Sequence, residues 1–176
     1  MAKRSRVVTI NRAPVLTLWA AVVSERLGFD RSEALTFGKA VAGLNAQSKG
    51  RRLGIFKPGQ DKGKKARERK RGEEFWVEVC GRQVPAVNTG DGVRAVVRDK
   101  PIEPEKVLDY LERRFGDDLE AVRNAMEDLA GSFDREELAE RAYPLYESFR
   151  PEIPSGKRGW GAKGDLDLGY IRSLAE

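Results

Sequence analysis

PVLTLWAAVVSERLGFDRSEALTFGKAVAGLNA, residues 14–46, decides how the chain begins to fold. Its first half is apolar on nearly every side: Val15, Leu16, Leu18, Trp19, Val22, Val23 and Leu27 leave little polar face. A helix of that kind belongs in a core. Pro14 suits the first turn, where its missing N–H has no intrahelical partner to lose. Gly28 is a natural left-handed stop. Asp30 and Glu33 then form a D-x-x-E capping box with Phe29 at the staple position, so a second helix starts at once. Leu35, Phe37, Val41 and Leu44 supply its apolar contacts, and it frays near Ser48–Gly50. Ala34, Gly38, Ala42 and Ala46 recur every four residues, a small-residue stripe that permits close approach of another helix.

Two helices joined through GFD predict a tight helical hairpin. A DNA-binding helix-turn-helix also has a short turn containing Gly. Here the second helix offers only Lys39, Asn45, Gln47 and Lys49 as base readers, and the first helix is longer than that motif needs. A packing hairpin is the simpler reading.

Charge is distributed very unevenly around this hairpin. The whole chain carries +5. Residues 1–56 hold ten Lys or Arg against three acids, a charge of +7. Residues 57–72, KPGQDKGKKARERKRG, hold eight against two, or +6. Residues 73–176 hold fifteen against twenty-three, or −8. Ala66 is the only apolar residue of the 57–72 stretch apart from its proline and glycines, so the sequence reads there as a flexible basic linker. Such asymmetry suggests a polyanion-facing end or a self-association of opposite charges.

The texture changes beyond Gly72. FWVEVCG (75–81), QVPAV (83–87) and VRAVV (93–97) read as three short antiparallel strands, the last two flanking the turn NTGDG (88–92). Pro85 confines its strand to an edge. Three helices are expected next. The first begins near Pro104, carries Val107, Leu108, Leu111 and Phe115, and ends at Gly116. The second covers about 118–130, with Asp117 as cap, Leu119, Val122, Met126 and Leu129 inward, and Gly131 as stop. The third follows Asp134, with Leu138, Ala142, Leu145, Tyr146 and Phe149, and a kink or break at Pro144. Leu166, Leu168, Tyr170, Ile171 and Leu174 suggest a short terminal helix. The fold class is therefore α+β and predominantly helical. An N-terminal helical hairpin occupies 1–56, the basic linker 57–72, and a small antiparallel sheet with several helices 73–176, the two portions packing as one unit or standing apart.

GWGAKG (159–164) is a literal G-x-G-x-x-G. A dinucleotide fingerprint needs a preceding strand, a following helix and an acid about twenty residues on. Here RPEIPSGKR precedes it and only twelve residues follow, so that reading fails. Lys157, Arg158 and Lys163 around Trp160 leave a narrower one, in which cations hold phosphate while an exposed indole stacks on a base. The simpler alternative buries Trp160 and leaves the glycines to turn the chain. Asp165 and Asp167 lack the spacing of a calcium loop and suit helix capping.

Catalytic signals are sparse. The absence of histidine removes the usual general base, the commonest metal ligand and every Ser–His or Cys–His pairing. The single cysteine, Cys80, excludes internal disulfides and multi-cysteine metal sites, fits a reducing compartment, and reads as a structural thiol on a strand. Asp117 and Asp118 are adjacent and point different ways on a helix. No catalytic residue, metal or cofactor is expected. Lys3, Arg4, Arg6 and Arg12 before the run Ala13–Val23 imitate a signal peptide, but that run flows into a helix ending and no A-x-A-like cleavage site follows. No stretch approaches the roughly 18–20 apolar residues of a membrane span. The expectation is a cytoplasmic, non-enzymatic protein that binds or associates with nucleic acid or another polyanion, without a membrane partner. Its phosphate contacts are Lys57, Lys62, Lys64, Lys65, Arg67, Arg69, Lys70 and Arg71, assisted by Lys49, Arg51 and Arg52, with Lys157, Arg158, Trp160 and Lys163 as a second surface. The alternative is a protein-interaction or homo-oligomeric module assembled through the small-residue stripe and the opposite charges.

Overall fold

The capping chemistry of the hairpin forms as its sequence dictates. In a computed structural model, which describes residues 7–47, 74–80, 82–89, 92–97, 100–151 and 163–175, α1 spans Arg12–Arg26 and α2 spans Arg31–Gln47. Gly28 takes a φ of 116°, and the amides of Gly28 and Phe29 donate to the carbonyls of Glu25 and Ser24. Those two bonds make a Schellman motif, satisfying carbonyls that a helix end would otherwise orphan. Asp30 and Glu33 exchange backbone-to-carboxylate hydrogen bonds of 2.8 and 3.0 Å, a complete capping box. Phe29 is buried against Phe37, their ring centroids 4.6 Å apart.

The stripe on α2 faces α1. A Cβ added to Gly38 would fall under 3.0 Å from the Thr17 carbonyl oxygen and 3.2 Å from the Ala21 nitrogen. The helices therefore approach backbone to backbone at Gly38, which only glycine permits. At Gly38 the stripe is occupied by the chain's own helix. Apart from its two ends, α1 is buried, and the Trp19 indole N–H donates to the Ala142 carbonyl at 2.8 Å.

Strands β2 (Glu74–Val79), β3 (Arg82–Thr89), β4 (Gly92–Val97) and β5 (Lys100–Pro101) form an antiparallel sheet in that order. Phe75, Val77, Val79, Val84, Ala86, Val93 and Ala95 are buried in the core that the hairpin shares. Pro85 does not lie on an edge strand, because β3 sits between β2 and β4. It is tolerated because the pairing with β4 runs only from Ala86 to Thr89, so Pro85 lies just beyond that ladder. Cys80 is buried in the turn after β2, rather than on the strand, with a positive φ of 50°.

Side chains of α2 cover part of the outer edge of β4. Glu33 Oε2 accepts from the Val93 amide at 2.8 Å, and Thr36 Oγ1 accepts from the Ala95 amide at 3.0 Å. The Ile102 amide continues the edge by donating to the Ala95 carbonyl. Glu33 thus closes its own helix through one oxygen and an open strand edge through the other, which protects an edge otherwise ready to pair with another chain.

Helix α3 (Pro104–Phe115) begins with proline in its first turn and stops at Gly116, whose φ is 57°. A 3₁₀ turn at Gly116–Asp118 leads into α4 (Leu119–Ala130), so Asp117 lies inside the turn and does not cap the helix. Asp134 caps α5 (Arg135–Phe149) by accepting from the Glu137 amide at 2.8 Å. This helix runs through Pro144 without a break. Its Ala142 carbonyl, two residues before the proline, is held by Trp19. Leu108 and Tyr170 are 40% and 46% exposed.

The largest surprise lies at the two ends of the chain. Val7–Asn11 forms β1 and Lys163–Asp167 forms β6, an antiparallel pair that ties one end to the other. Asp165 accepts from the Thr9 hydroxyl at 3.2 Å, while Asp167 caps the terminal helix α6 (Leu168–Ser173) at the Tyr170 amide. The architecture is α+β, helix-dominated, with two small antiparallel sheets. Among the described residues no helix is long and apolar enough to cross a membrane.

Candidate nucleic-acid interface

The antiparallel hairpin has a closed end at Leu27–Asp30 and an open end where α1 starts and α2 stops. Because Gly38 lies against Thr17, the last residues of α2 come beside the first residues of α1. Asn11 immediately precedes α1 and pairs with Lys163, the first residue of β6. Arg12 donates from Nε to the Pro151 carbonyl at 2.8 Å. Pro151 and Lys163 bracket residues 152–162, and Gln47 precedes residues 48–73. The segment 48–73 therefore leaves from the open end of the hairpin and leads into β2, and the segment 152–162, which holds Lys157 and Arg158, is anchored at both its ends near the start of α1.

Tyr146 also lies toward this end. Its ring makes edge-on contact with Phe149 at 6.0 Å, and Trp19 meets Phe149 at 5.3 Å. Burial pushes the Tyr146 phenol well above its ordinary range, only partly offset by the positive charges of Arg150 and Arg12. Tyr146 therefore stays neutral. The buried Cys80 thiol lies close enough to act on the same phenol in the same upward direction.

Of the expected phosphate contacts, Lys163 is placed, as the β6 residue opposite Asn11. Lys49, Arg51, Arg52, Lys57, Lys62, Lys64, Lys65, Arg67, Arg69, Lys70 and Arg71 lie outside the described residues, as do Lys157, Arg158 and Trp160. The linker expected at 57–72 lies outside them too. Of the base readers that α2 offered, Lys39 is exposed, while Lys49 and the side chains of Asn45 and Gln47 lie outside the described residues. Ala34, Leu35, Phe37, Ala40 and Val41 are buried between α1, α3 and the sheet, which leaves Lys39 as its exposed cation beyond the first turn among the described residues.

Elsewhere, Arg123 on α4 pairs with Glu25 on α1 and, at 3.1 Å, with Glu127. The ion pairs edge a cavity of about 540 Å³ between the hairpin and α3–α4. Its floor is Leu18, Leu35 and Leu111, and its rim mixes Glu112, Asp117 and Glu120 with Arg31 and Arg123. Interspersed guanidinium groups keep this rim from being a carboxylate trap. Among the described residues no cluster of three or more His, Cys, Asp or Glu side chains has the geometry to hold a metal ion.

Comparison of the chain with family models, with curated proteins and with solved structures finds no match in any of the three.

Proposed function

We propose that this chain is a non-enzymatic, nucleic-acid-associated protein that grips backbone phosphate with two cation-rich stretches rooted at one end of its helical hairpin. The observation that carries the reading is that common root: residue 48 follows the end of α2, and residues 152–162 run between Pro151 and Lys163, both tied to the start of α1. Sequence charge supports it, since residues 1–72 hold eighteen cations against five acids. Lys and Arg at such density neutralise phosphates and release condensed counterions, giving affinity without sequence preference. The single buried cysteine is compatible with a reducing, cytoplasmic setting.

The test uses duplex and single-stranded oligonucleotides at low salt, with the wild-type chain and a variant in which the eight cations of residues 57–71 become glutamine. Binding by the wild type that the variant loses supports the proposal. Undetectable binding, or a variant that binds equally well, overturns it.

A further inference from the structure

A cavity of about 390 Å³ opens between α2, the end of β4, β5 and the start of α3. That size lies at the small end of ligand pockets, which run from about 300 to 1,000 Å³. Three lysines from three elements line it: Lys39 from α2, Lys100 from β5 and Lys106 from α3. The Lys39 ammonium sits 4.4 Å from the centroid of the Tyr110 ring, a cation–π contact that orients it at the cavity wall. Lys106 pairs with Glu103 at 2.8 Å. Glu103 is the one acidic residue of the lining among the described residues.

We propose that this cavity binds a phosphate monoester carried on a flat or apolar body, of which a nucleoside monophosphate is the fitting example. The charge supports a phosphate over a carboxylate. Among the described lining residues, three ammonium groups and one carboxylate leave two positive charges, and a phosphate monoester brings about −1.5 to −2 at neutral pH. Lysines bind phosphate as mobile point charges and need no planar partner. The body has a matching surface, because Val97 and Ile102 line the cavity beside the Tyr110 ring. Val97 is 42% exposed, so apolar area remains for a ligand to cover. Occupancy draws Lys106 from Glu103 toward phosphate, an exchange between two exposed partners that costs little. The site uses only residues of the folded core and does not rest on the reading of residues 48–73.

The experiment titrates the full chain with adenosine 5′-monophosphate, adenosine and inorganic phosphate, following amide shifts by NMR and heat by calorimetry. The expected result is saturable binding of the monophosphate, with shifts at Val97, Ile102 and Tyr110. Adenosine and inorganic phosphate should each bind at least about tenfold more weakly. Lys100→Met with Lys106→Met removes two exposed charges without disturbing the core and should weaken the monophosphate by about tenfold or more. Equal binding of adenosine, equal binding of inorganic phosphate, no saturable monophosphate binding, or an unaffected double variant each overturns the assignment. A variant neutralised at the eight cations of residues 57–71 should bind the monophosphate unchanged. If that variant loses it, the ligand belongs to the basic stretch and this site is refuted. Two oligonucleotides, one with a 5′-phosphate and one with a 5′-hydroxyl, separate the sources: tighter binding of the first assigns the cavity to strand ends, and equal binding assigns it to free mononucleotides.

Discussion

Replacing Gly38 by alanine adds one methyl group at the closest approach of α1 and α2. The new Cβ would lie under 3.0 Å from the Thr17 carbonyl oxygen, whereas ordinary contact begins at 3.4 Å. The obstacle is backbone inside a buried helix and cannot rotate aside, so α2 must back away along its whole interface. Overpacking of this kind costs about 1–3 kcal/mol, and a rigid obstacle places it at the upper end. Alanine in a helix interior returns about 1 kcal/mol of propensity. The net is a loss of about 2 kcal/mol, or roughly 4–8 °C in Tm for a chain of this length. Gly43 on the same helix is the control, since its added Cβ meets nothing within 4 Å. Gly43→Ala should raise Tm by about 2–4 °C, the propensity gain alone. Thermal and urea denaturation followed by circular dichroism measure both variants. A Gly38→Ala chain as stable as wild type, or more so, refutes the backbone-to-backbone packing.

Removing the acceptor of Thr36 by Thr36→Val strands the buried Ala95 amide and should cost about 1–3 kcal/mol. Hydrogen exchange should show that amide losing protection, and unchanged protection would contradict the edge-capping role. Of the four tyrosines, Tyr146 should resist ionisation until the protein unfolds, as read by phenolate absorbance. Its raised folded pKa means the native state keeps a proton that the unfolded chain releases near 10.0, so stability falls as pH rises above that value. Tyr146→Phe should flatten that alkaline dependence, and an unchanged slope would refute the assignment. The buried Cys80 thiol should react with a bulky disulfide reagent only at the rate of unfolding, and prompt labelling of the native chain would contradict its burial.

The hairpin was legible because its signals are local. Gly28 and the Asp30–Glu33 box act within a few residues, and the apolar run of α1 flows straight into that helix ending. The sheet strands were legible by alternation. What local signals could not give was partnership. KGDLD, the sequence of β6, is poor in strand-favouring residues and becomes a strand through pairing with β1, which starts more than 150 residues earlier. Pro85 sits on an interior strand because one ladder happens to stop beside it, and Pro144 lies in a helix held by a tryptophan from elsewhere in the chain. Asp117 looked like a cap until the 3₁₀ turn displaced it. For the candidate interface, the cations were countable in the sequence, but their common root depends on the β1–β6 pairing and on the Arg12–Pro151 bond. The lysine cavity was still less visible, since Lys39, Lys100 and Lys106 are brought together only by the packing of α2 against β4 and α3.

The central claim, that two cation-rich stretches hold one polyanion, is tested most directly by the salt dependence of duplex binding. The slope of log affinity against log salt is about −0.9 for each phosphate neutralised. Three proteins are compared: wild type, a chain with Lys62, Lys64, Lys65 and Arg67 changed to glutamine, and one with Lys157, Arg158 and Lys163 changed likewise. The account predicts that both variants flatten the slope, by up to about 3–4 and 2–3 respectively. A wild type that does not bind at low salt, or slopes that stay the same in both variants, would contradict it.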